Sequence, residues 1–251
     1  MSKLTQMRFF SVILCFVLTV IGFAQGGPPM LTDDPGTPPE GHWEFNLAYT
    51  IARSHTETET GLPLADLNYG ARQNVQIKIE MPWLLVRERG TSIRGLGPVL
   101  AGVKWRFQEE TKGSPAVSTF PQVEFPSSRQ SVNEGLSEPG TGLLLPIEAQ
   151  WHRGKWSYNL DGGVFVRPGE AASWLGGAAI AFETHEGEEF IFETHEEGTP
   201  NDRALNSVVQ LGYRRDLGPS ATLLLAIGRS IFTQVVEPTR MTGYLGVQFR
   251  Y

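Results

Sequence analysis

The sequence predicts an all-β chain: an antiparallel up-and-down transmembrane β-barrel of about twelve strands, behind a cleaved signal peptide. Three observations carry this. Apolar and polar residues alternate in one segment of about ten residues after another, from His42 to Tyr251. All six tryptophans lie on the apolar parity, near segment ends. The last segment, Met241–Tyr251, alternates in the same way and closes on two aromatic residues, Phe249 and Tyr251. Strands of that length, at about 3.3 Å per residue and tilted near 40°, rise about 25 Å, the height of a barrel's apolar band in an outer membrane.

In chain order, Lys3 and Arg8 supply a basic n-region, Phe9–Phe23 is almost wholly apolar, and Gly22-Phe23-Ala24 is a small-x-small cleavage site. Residues 1–24 therefore read as a secretory signal peptide, cut after Ala24. As a membrane anchor the segment is short, because about 20 apolar residues are needed. Cys15 follows Leu14 inside the apolar run, which does not suit a lipoprotein. The mature chain has 227 residues, no cysteine, and 19 basic against 27 acidic residues, a net charge of −8. That balance disfavours nucleic acid as a partner. No later stretch reaches 18 consecutive apolar residues, so no helical span is expected.

Residues 25–41 contain GGPPMLTDDPGTPPEG, too rich in Pro and Gly for regular structure, and are expected to be an extended periplasmic arm. The barrel is expected over 42–251. His42–Ala52 sets Trp43, Phe45, Leu47, Tyr49 and Ile51 against Glu44, Asn46 and Thr50. Leu62–Gly70, Val75–Leu85 and Gly97–Phe107 repeat the pattern. Ala116–Phe125 is less regular, with Phe120 on the polar parity and Pro121 on the apolar one. Leu143–Trp151, Lys155–Val166 and Ser173–Phe182 follow, then the weakly patterned Glu189–His195, then Ala204–Arg214, Ala221–Phe232 and Met241–Tyr251. The connections expected outside the cell are Arg53–Gly61, Val86–Leu96, Pro126–Gly142, Arg167–Ala172, Glu196–Arg203 and Thr233–Arg240. Those expected in the periplasm are Ala71–Asn74, Gln108–Pro115, His152–Gly154, Glu183–Glu188 and Arg215–Ser220, shorter on the whole.

Alternation alone also describes a soluble sandwich. The tryptophans decide against it, because amphipathic rings collect at the two rims of an apolar band. Trp43, Trp83, Trp105, Trp151, Trp156 and Trp174, with Phe249 and Tyr251, are the expected anchors at the membrane interface. The opposite parity collects Glu44, Asp66, Lys78, Glu80, Lys104, Arg106, Glu124, Glu148, Asp161, Arg214 and Arg250 as residues facing the lumen. Two readings stay open for these charges: paired networks that fill the interior, or the lining of a passage. Their near balance of sign argues against strong ion selectivity.

Gly246, Phe249 and Tyr251 resemble the Gly-x-x-aromatic-x-aromatic ending of bacterial outer-membrane barrels, which implies recognition by the barrel-assembly machinery. Over Met30–Thr50, Leu64–Leu84 and Gly95–Phe107 the chain is similar to a family of bacterial outer-membrane proteins described as transporters or meta-pathway phenol degradation proteins. The resemblance covers about the first half of the chain and its last strand. It implies a mid-sized barrel in the outer membrane passing small compounds, aromatic ones among them.

Other motifs carry less. FETHE occurs at Phe182–Glu186 and Phe192–Glu196, and His185 with His195 suggests zinc. On adjoining strands the two rings stand roughly 20 Å apart, so one ion does not reach both and a local duplication is the plainer reading. The Thr-Glu run after His55 reads as a solvated acidic loop. Length makes Pro126–Gly142 the candidate for a constriction folded into the lumen. No G-x-S-x-G motif or phosphate-binding loop occurs. Expected is a non-enzymatic barrel, without cofactor or metal, for passage or binding of small molecules. The alternatives are a closed structural barrel and a membrane-embedded hydrolase.

Overall fold

The chain, as a computed structural model, is described over residues 27–199, 205–233 and 239–251. The expected signal peptide and its cleavage after Ala24 lie outside the described residues. Parts of the connections Glu196–Arg203 and Thr233–Arg240 do too.

The strands are β1 (Trp43–Arg53), β2 (Glu57–Arg72), β3 (Val75–Glu88), β4 (Thr91–Leu96 continuing as Val99–Gln108), β5 (Ala116–Thr119 continuing as Gln122–Phe125), β6 (Gly142–Arg153), β7 (Trp156–Val166), β8 (Ser173–His185), β9 (Glu188–Gly198), β10 (Leu205–Gly218), β11 (Ala221–Thr233) and β12 (Met241–Arg250). The halves of β4 pair in turn with one strand: Leu96 lies opposite Trp83 and Leu100 opposite Glu80. The halves of β5 behave alike against β6, with Thr119 opposite Ile147 and Gln122 opposite Leu144. Pro98 and Pro121 fall at the two interruptions, where a residue without an N–H cannot extend the ladder.

Each strand pairs antiparallel with the next, and β12 returns to β1 with Phe45 opposite Phe249 and Ala48 opposite Gly246. Reciprocal bonds of 2.9 Å between the Trp43 and Tyr251 backbones finish the seam. Twelve strands form a closed barrel among the described residues, as the alternation predicts. Closure removes the free edge that a terminal strand would leave. Gly246 is needed at this seam: a Cβ there would meet the Tyr244 ring at 2.7 Å and the Ala48 Cβ at 3.0 Å.

Burial runs opposite to that of a soluble protein. Ile77 (49%), Leu211 (62%) and Ile227 (60%) are exposed, while Asn46 (1%), Asp66 (2%) and Glu148 (0%) are sealed inside. Such an exterior is stable against lipid, and the sandwich alternative falls with it. Ring pairs gird the end that holds both Trp43 and Tyr251: Trp43–Tyr69 at 4.6 Å, Trp105–Phe107 at 5.5 Å, Trp151–Tyr158 at 5.7 Å, Trp156–Phe182 at 4.7 Å and Phe190–Tyr213 at 5.0 Å. Trp83 and Trp174 lie toward the other end, on the outward parity of β3 and β8.

Several boundaries move. Glu57–Thr60, Val86–Glu88 and Thr91–Leu96, expected in loops, are paired strand, so β2, β3 and β4 extend beyond the apolar band. The turn expected over Glu183–Glu188 shrinks to Glu186 and Gly187. Within Pro126–Gly142 a short helix, α1 (Arg129–Asn133), is capped by Ser128.

Candidate functional site: the barrel interior

The larger correction concerns the N-terminal arm. Its extended, irregular backbone is as expected, but it does not lie in the periplasm. Residues 27–38 lie inside the barrel, where Thr32 is 0%, Asp34 3% and Met30 7% exposed. An irregular segment carries N–H and C=O groups with no regular internal partners. Here the barrel wall supplies many of them, beside two bonds within the arm, from the Met30 N–H to the Gly27 carbonyl and from the Gly27 N–H to the Thr32 carbonyl.

Arg214, on β10, donates to the Gly27 carbonyl at 2.9 Å and the Pro28 carbonyl at 2.8 Å. Glu193, on β9, accepts from the Leu31 N–H at 3.0 Å and the Thr32 N–H at 3.3 Å. Asp161, on β7, accepts from the Asp33 N–H at 3.1 Å. Lys104, on β4, donates to the Asp34 carbonyl and to Asp33 Oδ1, the latter at 2.9 Å. Four strands thus hold the backbone at Gly27, Pro28, Leu31, Thr32, Asp33 and Asp34 by charge-assisted bonds. The arm leaves beside Gly70, where the Gly41 N–H donates to the Gly70 carbonyl at 2.8 Å. A Cβ at Gly70 would collide with the Pro38 and Pro39 carbonyl oxygens, so only glycine permits this approach.

The eleven residues expected in the lumen share the inward parity but not one depth. Lys104 also pairs with Glu148 at 3.3 Å, and Glu148 accepts from the Ser118 hydroxyl at 2.6 Å. The Lys104 ammonium stands 4.7 Å over the Phe120 ring, which accounts for an aromatic residue on the polar parity of β5. Lys78 bridges Glu80 at 2.9 Å and Asp66 at 3.5 Å, and Asp66 accepts from Asn46 at 3.0 Å and Asn68 at 3.1 Å. Glu44 accepts a long 3.5 Å bond from Asn46. Three members sit at the mouths. Arg106 bonds Glu109 at 3.0 Å, Arg250 bonds Asp216 at 2.8 Å, and Glu124 bonds Arg167. Most of these charges are ion-paired, and Lys104, Asp161 and Arg214 also bond the arm.

Sequence reading missed Glu193 and, except as a metal candidate, His195, along with Asp33 and Asp34. The first two were legible: Phe190 and Phe192 are 52% and 50% exposed, which turns Glu189, Glu193 and His195 inward on β9. The FETHE copies stay apart. His185, at the hairpin tip, faces Glu188 at 3.7 Å, while His195 lies inside beside Glu197 at 3.4 Å.

Two spaces flank the arm. One of about 420 Å³ opens on the outer side and is bounded by Met30, Leu64, Leu100, Leu144, Leu175 and Tyr244, with acidic groups such as Glu59, Glu80 and Glu197. The other, about 30 Å³, lies by Asp34, Asp66 and Lys104. None of residues 126–141 borders either space. The constriction expected in Pro126–Gly142 does not border these spaces, whereas residues of the arm border both. That loop instead packs Leu136 against Gly95 of β4.

No protein-family model matches the sequence, and no curated protein matches it. Solved structures do match. An outer membrane channel from Pseudomonas putida F1 aligns with a TM-score of 0.72 at 13% identity, covering 87% of this chain and 98% of that one. The NanC porin aligns at 0.59 with 11% identity, covering 82% and 98%. The KdgM porin aligns at 0.57 with 7% identity, covering 81% and 98%. The chain has the fold of these outer-membrane channels and porins, a closed twelve-stranded barrel in its own case.

Proposed function

We propose that this chain is an outer-membrane channel for passive passage of small molecules, with residues 27–38 as its internal constriction. The observation that supports this best is the 420 Å³ space above the arm, inside a closed barrel. A barrel filled only for structural purposes has no need of such a volume. Its lining of five leucines, Met30 and Tyr244 favours small solutes with an apolar or aromatic part, in keeping with the family resemblance of Met30–Thr50. The channel fold of the solved relatives supports passage over hydrolysis. In the same reading Gly246, Phe249 and Tyr251 present the assembly signal, and residues 1–24 direct export.

Planar-bilayer recording and liposome swelling with the purified protein test this. Entry of small neutral or aromatic solutes supports a channel. Silence across a panel of ions and small organics, in the parent and in variants that free the arm, favours the closed structural barrel.

A further inference from the structure

The outward face at the outer mouth carries a row of arginines. Cross-strand pairing puts Arg53 of β1 opposite Met241 of β12 and opposite Thr58 of β2. Thr58 in turn faces Arg87 of β3, and Arg87 faces Ser92 of β4. On β11, Gly228 pairs with Thr242, so Arg229 continues the same row beside Met241. Arg229, Arg53 and Arg87 therefore recur on every second strand, about 10 Å apart. Arg94 adds a fourth charge one step below, opposite Leu85.

These side chains point out of the barrel, not into it. Arg87 shares the parity of exposed Ile79 and Trp83, Arg53 that of Leu47, and Arg229 that of Ile227. All four arginines are exposed. Among the described residues none of them has a carboxylate within ion-pair distance. The neighbouring outward positions of β11, β12, β1, β2, β3 and β4 are Ile, Met, Thr, Leu and Ser, without an acid. Glu57, Glu59 and Glu88 lie on the other parity. Arg87 stands four residues beyond Trp83, about 10 Å higher along a tilted strand, which is headgroup depth above the apolar band.

We propose that this row binds the phosphate groups of the anionic glycolipid that forms the outer leaflet. The proposal rests on the outer-membrane reading. The charge complementarity is direct: guanidinium forks match phosphate oxygens in pairs, and unpaired arginines at a lipid boundary gain most from such partners. The row sits at the mouth opposite Trp43 and Tyr251, the side that meets that leaflet in barrels whose first and last strands begin and end in the periplasm.

The test titrates folded, detergent-solubilised full-length protein with lipopolysaccharide bearing phosphorylated lipid A. The comparison is the triple variant Arg53→Gln, Arg87→Gln, Arg229→Gln. The triple variant is expected to bind about a hundredfold more weakly. Dephosphorylated lipid is expected to bind as weakly to the parent. Arg72→Gln with Arg153→Gln, at the opposite mouth, retains parental affinity. Inorganic phosphate at millimolar concentration leaves binding unchanged. Equal affinity in parent and triple variant overturns the proposal, as does full competition by inorganic phosphate. Heat-dependent gel migration confirms that each variant is folded. Cell fractionation tests the location separately, since binding in micelles does not depend on it.

Discussion

Lys104 ties the arm to the wall: its ammonium lies 2.9 Å from Asp33 Oδ1 on one side and 3.3 Å from Glu148 Oε2 on the other. The Lys104 side chain is 3% exposed, so neither carboxylate has an easy substitute. Removing one partner of a buried ionic cluster costs about 3–5 kcal/mol, because the other is left uncompensated. In Lys104→Met the strain falls on the contact that is free to move, the arm. Higher single-channel conductance than the parent is expected, with heat-modifiable migration retained. Unchanged conductance would show that the remaining bonds suffice.

Glu193 gives an independent route to the same release. Its carboxylate serves two backbone N–H groups, Leu31 and Thr32, and Glu193→Ala leaves both without their acceptor. Each orphaned buried donor costs about 1–3 kcal/mol. Residues 27–251 contain no cysteine, so Thr32→Cys places a single reporter thiol in the barrel. Slow reaction with a water-soluble maleimide is expected in the otherwise parental protein, and at least tenfold faster reaction once Glu193→Ala is added.

Gly70 marks where the arm leaves the barrel at its rim. A methyl group there meets two carbonyl oxygens, which are backbone and do not swing aside. Gly70→Ala is therefore expected to displace residues 38–39 and to raise conductance. Gly162→Ala is the matched control, since a Cβ at Gly162 has only ordinary contact at 3.8 Å. Equal recordings from the two variants would contradict the close approach.

The seam is expected to govern assembly, not passage. Deleting Tyr251 removes two 2.9 Å backbone bonds to Trp43 and a 72% exposed ring, but nothing that borders the interior. A lower yield of heat-modifiable barrel is expected, with parental conductance in whatever folds. A changed conductance at parental yield would reverse this assignment. Gly246→Ala is expected to share the assembly defect through its contact with Tyr244, and Tyr244→Ala to relieve it.

Period-two alternation was enough to predict the closed barrel, the β12–β1 seam and the inward parity of the charged residues, because each strand meets lipid on one face and polar groups on the other. Glu57–Thr60 escaped notice for the converse reason. It has water on both sides, so its pairing leaves no apolar mark in the sequence. The weak pattern of Glu189–His195 reflects a strand whose inward side is specialised for holding the arm. The arm itself was legible as irregular but not as interior. Leu31 and Glu193 are 162 residues apart, and nothing local in a Pro/Gly-rich stretch says which distant carboxylate it will find.

The unequal spaces on either side of residues 27–38 bear on kinetics. At about 30 Å³ per water molecule, the outer space holds roughly a dozen waters and the inner one about one. A solute can therefore dwell in the outer compartment long before it finds a way through. Turnover would then be set by how often the arm stands aside, and solute concentration would saturate the waiting room before it raised the flux.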